Sequence, residues 1–126
     1  MIRVLLADDE PAIRAGWRTI LTAQPDLRVL GEAGDGVHCV RLAAATHPDV
    51  VLMDVRMKGI DGIETTRRLK RILPGIRVII FSVFDDKALM DEAAEAGADA
   101  HVTKGSAGRQ LCDRVLAVCG LSPAAA

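Results

Sequence analysis

Residues 50–62 read "VVLMDVRMKGIDG": four apolar residues run straight into Asp54, and two bases, two glycines and Asp61 follow. An apolar run without alternation suits a strand buried on both faces, as in the middle of a parallel sheet. Taken alone, the carboxylate at its end has three readings: a helix cap, a metal ligand or a nucleophile.

Working outward, similar runs recur along the chain. They are "IRVLLA" (2–7), "LRVLGE" (27–32), "DVVLMD" (49–54), "IRVIIFS" (76–82) and "AHVT" (100–103). Helical spacing fills the intervals. Residues 11–23 carry Ile13, Trp17, Ile20 and Leu21, and 37–46 carry Val40 and Leu42 among alanines. Residues 62–73 carry Ile63, Leu69 and Ile72, with "TRRLKR" expected to face solvent. Residues 87–96 carry Leu89, Met90, Ala93 and Ala94, and 107–119 carry Leu111, Val115 and Val118. Pro11 suits a first helical residue, Gly97 a left-handed C-cap, and Pro48 and "LPG" (73–75) helix ends. Strands alternating with helices predict an α/β fold: a five-stranded parallel sheet with helices on both faces, flavodoxin-like. The first, third and fourth runs are the most apolar, so the expected order is 2-1-3-4-5, with the more polar second and fifth at the edges.

Composition limits the function classes. The 126 residues suit one domain, expected over 1–120, with 121–126 a tail or the start of a linker. A net charge of −1 favours neither nucleic acid nor an anionic membrane. With no Tyr, one Trp and two Phe, a base-stacking platform is not expected. No apolar run reaches the ~20 residues of a membrane helix, and "MIRVLLADDE" lacks the form of a secretory signal. The chain therefore reads as cytoplasmic. Cys39, Cys112 and Cys119 are odd in number and read as reduced, mostly buried thiols.

Ligands of open α/β sheets gather beyond the carboxyl ends of the strands. Here those ends present Asp8, Asp9 and Glu10, then Asp54, Ser82, and Thr103 with Lys104. In the expected order Asp8, Asp9 and Asp54 converge. Three close carboxylates do not all ionise without counter-charge, and one lysine is not enough. A divalent cation would balance them, and a small all-oxygen donor set favours Mg2+. A metal, a lysine and a hydroxyl around one carboxylate also suit phosphoryl transfer, with the carboxylate as nucleophile. Each residue also has a plain reading: Asp9 or Asp54 a helix cap, Ser82 a turn hydroxyl, Lys104 a surface base. "GEAGDG" (31–36) has its glycines in the wrong order for a dinucleotide loop, and His38, His47 and His101 lack metal spacing.

"LLADDE", "VVLMDVRMKGIDG", "VIIFS" and "HVTKG" together resemble the receiver domain of bacterial two-component response regulators. "GEAGDG" and "KG" in place of "KP" look like the NarL/LuxR-type subgroup, whose members are mostly transcription factors with a C-terminal helix-turn-helix domain. The resemblance implies that Asp54 accepts a phosphoryl group from a sensor histidine kinase. It implies Mg2+ held by Asp8, Asp9, Asp54 and the backbone carbonyl of Arg56. Ser82 and Lys104 would bind the phosphoryl group, with Ser82 and the residue at His101 forming the switch. The helix 4–strand 5–helix 5 face would then change and meet another copy, an effector domain or another partner protein. Such a domain is not a turnover enzyme on a separate substrate.

Two positions depart from the pattern: Lys58 stands where proline is common, and His101 where Tyr or Phe is common. The 22 residues after Lys104 leave no room for a helix-turn-helix domain, so this chain alone is not expected to bind DNA. It reads as the receiver part of a longer transcription factor or, alternatively, as a stand-alone receiver. A Mg2+-dependent aspartyl-phosphate phosphatase is a remoter alternative, because Arg56 stands where such enzymes place a second Asp. A flavin binder of the same fold would need aromatics to sandwich its ring. A degenerate receiver would be expected to have lost some of Asp8, Asp9, Asp54, Ser82 and Lys104.

Overall fold

The computed structural model describes residues 1–83, 87–103 and 108–120, with side chains in the last stretch described from Gln110. Lys104 and the 121–126 tail lie outside the described residues, as do residues 84–86 ahead of the fourth helix. Ten elements alternate: β1 (Ile2–Ala7), α1 (Pro11–Thr22), β2 (Leu27–Ala33), α2 (Gly36–Thr46), β3 (Val50–Asp54), α3 (Gly62–Ile72), β4 (Arg77–Ser82), α4 (Lys87–Ala96), β5 (Ala100–Thr103) and α5 (Gly108–Val118). All strand pairs are parallel, in the order β2-β1-β3-β4-β5 that the apolar runs predict.

Period-2 alternation sends each strand's side chains to two separate cores. Val4, Leu6, Val50, Leu52, Ile79, Phe81 and Val102 pack with Trp17 and Leu21 of α1 and Leu111 and Val115 of α5. Leu5, Val51, Met53, Val78 and Ile80 pack with Cys39 of α2, Ile63 and Leu69 of α3 and Ala93 of α4. β3 is buried along its whole length, as a central strand covered on both sides must be. Trp17 meets Phe81 at 4.8 Å between ring centroids, tying α1 across the sheet to β4; such a pair contributes about 0.5–1.5 kcal/mol beyond its burial.

Side-chain caps start two helices. Asp35 accepts the His38 N–H at 2.7 Å and begins α2; Asp61 accepts the Glu64 N–H at 2.8 Å and begins α3. "GEAGDG" is thus the β2–α2 turn ending in a cap. Some sequence expectations need correction. Thr66 of the "TRRLKR" stripe is fully buried, its hydroxyl donating to the Gly62 carbonyl at 2.7 Å. Ile72 is 45 % exposed rather than core, because α3 ends on it and Leu73 turns inward instead. Lys70 of the "TRRLKR" stripe does not simply face water: its Nζ binds the Ile76 carbonyl at 2.6 Å and Asp99 at 2.8 Å. Asp99 also accepts the Val78 N–H, so the pair fastens α3 to the foot of β4. Cys39 is buried among apolar groups, which pushes its thiol up to about 12, an inert state.

The close approach of α3 to the end of β3 depends on Gly62. A Cβ there would sit 2.4 Å from the Asp54 carbonyl oxygen and 2.9 Å from Val55 Cα, both backbone atoms. Gly62→Ala is expected to destabilise by about 1–3 kcal/mol or more. Gly16, inside α1 with open space around it, gives the opposite expectation: Gly16→Ala stabilises by about 0.4–1 kcal/mol. Urea unfolding followed by the fluorescence of Trp17 measures both.

Candidate functional site

The β1–β3 register aligns Ala7 with Met53. Asp54 and Asp8 stand one residue further along. Val4 and Leu6 of β1 and Val50 and Leu52 of β3 pack on the α1/α5 side. Continuing the alternation puts both carboxylates on that same side, at the carboxyl edge of adjacent strands. Asp8 is fully buried and Asp54 is 6 % exposed.

Asp8 is held by several neighbours. Its N–H donates to the Ala33 carbonyl at 3.1 Å, its Oδ1 accepts the Glu10 N–H at 2.9 Å, and its carbonyl accepts from Arg14 Nη1 at 2.5 Å. Arg14 Nε in turn donates to Glu32 Oε1 at 3.0 Å, and Arg18 Nε donates to Oε2 at 2.6 Å. One carboxylate of β2 thus grips two arginines of α1, and one of these grips the backbone of β1. The hydrogen bond from Arg18, with that from Arg14, outweighs burial and holds the Glu32 carboxyl below its usual range.

Asp8, Asp9 and Glu10 each offer a carboxylate oxygen, and these oxygens lie within 4.8 Å of one another. The donors are oxygens only, on one buried, one half-buried and one exposed residue. Such a set fits a hard divalent cation that keeps part of its water shell, as Mg2+ does. The capping alternatives lose. Glu10 is the N-cap residue of α1 and uses no side-chain cap, while α3 is capped by Asp61 rather than Asp54.

The loop after β3 is closed by two backbone bonds. The Val55 N–H donates to the Phe81 carbonyl at 2.9 Å, and the Gly62 N–H donates to the Val55 carbonyl at 2.8 Å. Arg56 and Lys58 are exposed on this loop. Gly59, next to Lys58, takes a φ of 76°, in the left-handed region that favours glycine.

Ser82 ends β4 with 2 % exposure, in register with Thr103. Its Oγ lies 2.8 Å from Nε2 of half-buried His101. The structure therefore brings Asp8, Asp9 and Asp54 to one edge and ties Ser82 to His101. The sequence marked Ser82 and His101 together as switch residues through the resemblance, but did not reveal this bond, which depends on the β4–β5 register. Glu10's place in the acid cluster and Arg14's grip on Asp8 were also missed; no local spacing signals an α1 side chain reaching a β1 carbonyl. A groove of about 570 Å³, lined by His47, Asp49, Ile72, Arg77 and Cys119 among others, lies at the opposite, amino edge of the sheet. Among the described residues, no helix is long and apolar enough to cross a membrane.

Comparison with known proteins agrees with this geometry. The response regulator receiver domain family matches residues 4–116. Transcriptional regulatory protein LiaR of Bacillus subtilis is 44% identical over 117 residues, 93% of this chain and 56% of that protein. Response regulator GacA of Pseudomonas aeruginosa is 42% identical over 106 residues, 84% of this chain and 50% of that protein. The chain spans about half the length of the curated relatives it matches. Among solved structures, a LuxR-family two-component response regulator from Aurantimonas superposes with a TM-score of 0.88 at 35% identity, covering 95% of this chain and 86% of that one. The receiver domain of the NarL regulator of Mycobacterium tuberculosis gives 0.90 at 32% identity, covering 94% and 97%.

The Glu32 clamp carries a pH signature. Its folded carboxyl is more acidic than the unfolded one, so its contribution is complete above the usual value of 4.5 and is lost as pH falls through the folded value below it. Glu32→Gln removes that contribution at neutral pH, and is expected to shrink the stability difference between pH 7 and pH 3 by about 1 kcal/mol, allowing for partial exposure. Urea midpoints of both proteins at the two pH values measure it.

Proposed function

The chain belongs to the response regulator receiver domain family, and from that premise we propose that it accepts a phosphoryl group on Asp54 from the phosphohistidine of a sensor histidine kinase. The observation that carries this reading is the placing of Asp54, nearly buried, one residue beyond the aligned Ala7–Met53 pair, beside Asp8 and the acids that follow it. A carboxylate oxygen of Asp54 attacks phosphorus; a P–O bond forms as the P–N bond to the kinase imidazole breaks, and the leaving nitrogen takes up a proton.

The residues divide the work by chemistry. Asp8, Asp9 and Asp54, with the Arg56 carbonyl, are the proposed donors to Mg2+, which when bound neutralises the negative charge gathering on the transferred group. Lys104 is proposed to pair with a phosphoryl oxygen, and Ser82 to donate its hydroxyl to another. The product replaces a carboxylate with a group of about −1.5 to −2 charge and strong acceptors. Ser82 ends β4 ahead of α4, and Lys104 follows β5 ahead of α5. The α4–β5–α5 face is therefore the element proposed to respond, with Ser82 and His101 as its switch pair.

That face would meet a second copy, an effector domain or another partner protein. Control of a DNA-binding domain outside this chain is the favoured output, supported by relatives described as transcriptional regulators and about twice as long as the stretch they share with this chain. A receiver acting through protein contacts alone is the alternative. Either way the chain is a signalling domain rather than an enzyme on a separate substrate.

Incubation with Mg2+ and a small phosphodonor is expected to add the mass of one phosphoryl group. Asp54→Asn is expected to abolish the gain, as is chelation of the metal. An equal gain in Asp54→Asn would overturn the assignment. Asp9→Asn is expected to weaken Mg2+ binding by about tenfold or more, read by calorimetry.

A further inference from the structure

The β1 ladder ends at Ala7, which pairs with Ala33 on one side and Met53 on the other. The peptide that joins Asp8 to Asp9 lies beyond it. Both residues belong to the acid cluster, so that peptide sets the spacing between two carboxylates. Its carbonyl, that of Asp8, accepts from Arg14 Nη1 at 2.5 Å. The preceding peptide is fixed by the bond from the Asp8 N–H to the Ala33 carbonyl at 3.1 Å. Arg14 is itself aimed: its Nε donates to Glu32 Oε1 at 3.0 Å. Leu6 faces Glu32 in the β1–β2 register, so the sheet places the acid that aims the arginine. Two bonds from one planar guanidinium fix its orientation, which the point charge of a lysine would not. Arg18 offers a contrast. Its Nε binds Glu32 Oε2 at 2.6 Å from four residues further along α1, and its side chain is 43 % exposed against 18 % for Arg14.

We propose that Arg14, aimed by Glu32, is a positioning residue for the Mg2+ site: it holds the peptide between Asp8 and Asp9 so that the two carboxylates are spaced for the cation before it arrives. This rests on the reading of the acid cluster as that site. Ligands that must be ordered on binding lose affinity to the ordering, and ligands already ordered do not. Groups that orient metal ligands act in this way although they never touch the metal. Charge works with the opposite sign. A guanidinium near a cation site repels the cation, so by charge alone Arg14 weakens binding and its removal tightens it. Glu32, at 3.0 Å, supplies the negative charge that offsets this repulsion. Positioning and charge therefore predict opposite changes when Arg14 is removed, and a role confined to stability predicts no change in the folded protein.

The test is Mg2+ titration of the whole chain by calorimetry, with no phosphodonor present and with urea midpoints showing that each variant is folded. Arg14→Ala is expected to weaken Mg2+ binding by about tenfold, the low end for loss of a group that orients a metal ligand. Arg18→Ala removes the other arginine of the clamp and is expected to leave the affinity unchanged. Glu32→Gln leaves Arg14 charged but unaimed and is expected to weaken binding too. In the Arg14→Ala background Glu32→Gln is expected to add nothing, because Glu32 acts through Arg14. Unchanged or tighter binding in Arg14→Ala overturns the proposal, as does an equal loss in Arg18→Ala. A full further loss from Glu32→Gln in the Arg14→Ala background overturns the part given to Glu32. Should Arg14→Ala not fold, Glu32→Gln against Arg18→Ala decides, and equal affinities overturn the proposal. If wild type binds Mg2+ and Asp9→Asn binds it weakly, a failed comparison removes only the role of Arg14. If wild type binds no Mg2+, or Asp9→Asn binds it equally, the metal-site reading falls and this proposal falls with it.

Discussion

Two carboxylates buried side by side at the end of a parallel sheet are the constraint the rest of the structure answers to. Asp8 is fully covered and Asp54 nearly so. A buried carboxylate costs several kcal/mol unless hydrogen bonds or counter-charges offset it. For Asp8 part of the offset is local. The Glu10 N–H at the head of α1 binds its carboxylate, and the Ala33 carbonyl and Arg14 hold its backbone. The Glu32 clamp then fastens α1 to β2 at that end of the sheet. Arg14 and Arg18 face a single carboxylate there, so one acid organises two bases beside the pocket.

The same constraint explains where the chain tolerates no side chain. Gly62 lets α3 begin against the Asp54 carbonyl. Gly36, starting α2, would drive a Cβ to 2.2 Å from Thr65 Oγ1 and 2.5 Å from Ile60 Cγ1. α2, α3 and the loop after β3 therefore pack closely at the end that carries the acids. A rigid frame suits a site whose response depends on small displacements of single side chains. The foot of the sheet is fastened separately. Asp49 accepts the Arg3 N–H at 2.8 Å, and Asp99 joins Lys70 to the Val78 N–H.

β5 is one of the two edge strands. It has four residues and pairs only with β4, and Val102 alone in it is buried. A side chain there moves against fewer neighbours than one on β3, where every residue is buried.

How much was legible in the sequence follows from the range of each interaction. Strand runs, helix spacing and the β2-β1-β3-β4-β5 order came through because burial on two faces leaves a local pattern, and parallel crossovers permit few orders. The acids at the strand ends were legible for the same reason: a strand that stops at a carboxylate declares its edge. Chain order could not disclose which neighbours those residues take. Ile72 slipped outward and Lys70 inward through small differences in where α3 ends and where Asp99 lies. The bond from Ser82 to His101 spans nineteen positions, and Arg14's hold on Asp8 crosses from a helix to a strand. By itself the sequence determined a parallel sheet bearing acids, a hydroxyl and an imidazole near one edge. Tertiary structure alone decided which of them touch, because register and packing between strands set distances that no spacing along the chain encodes.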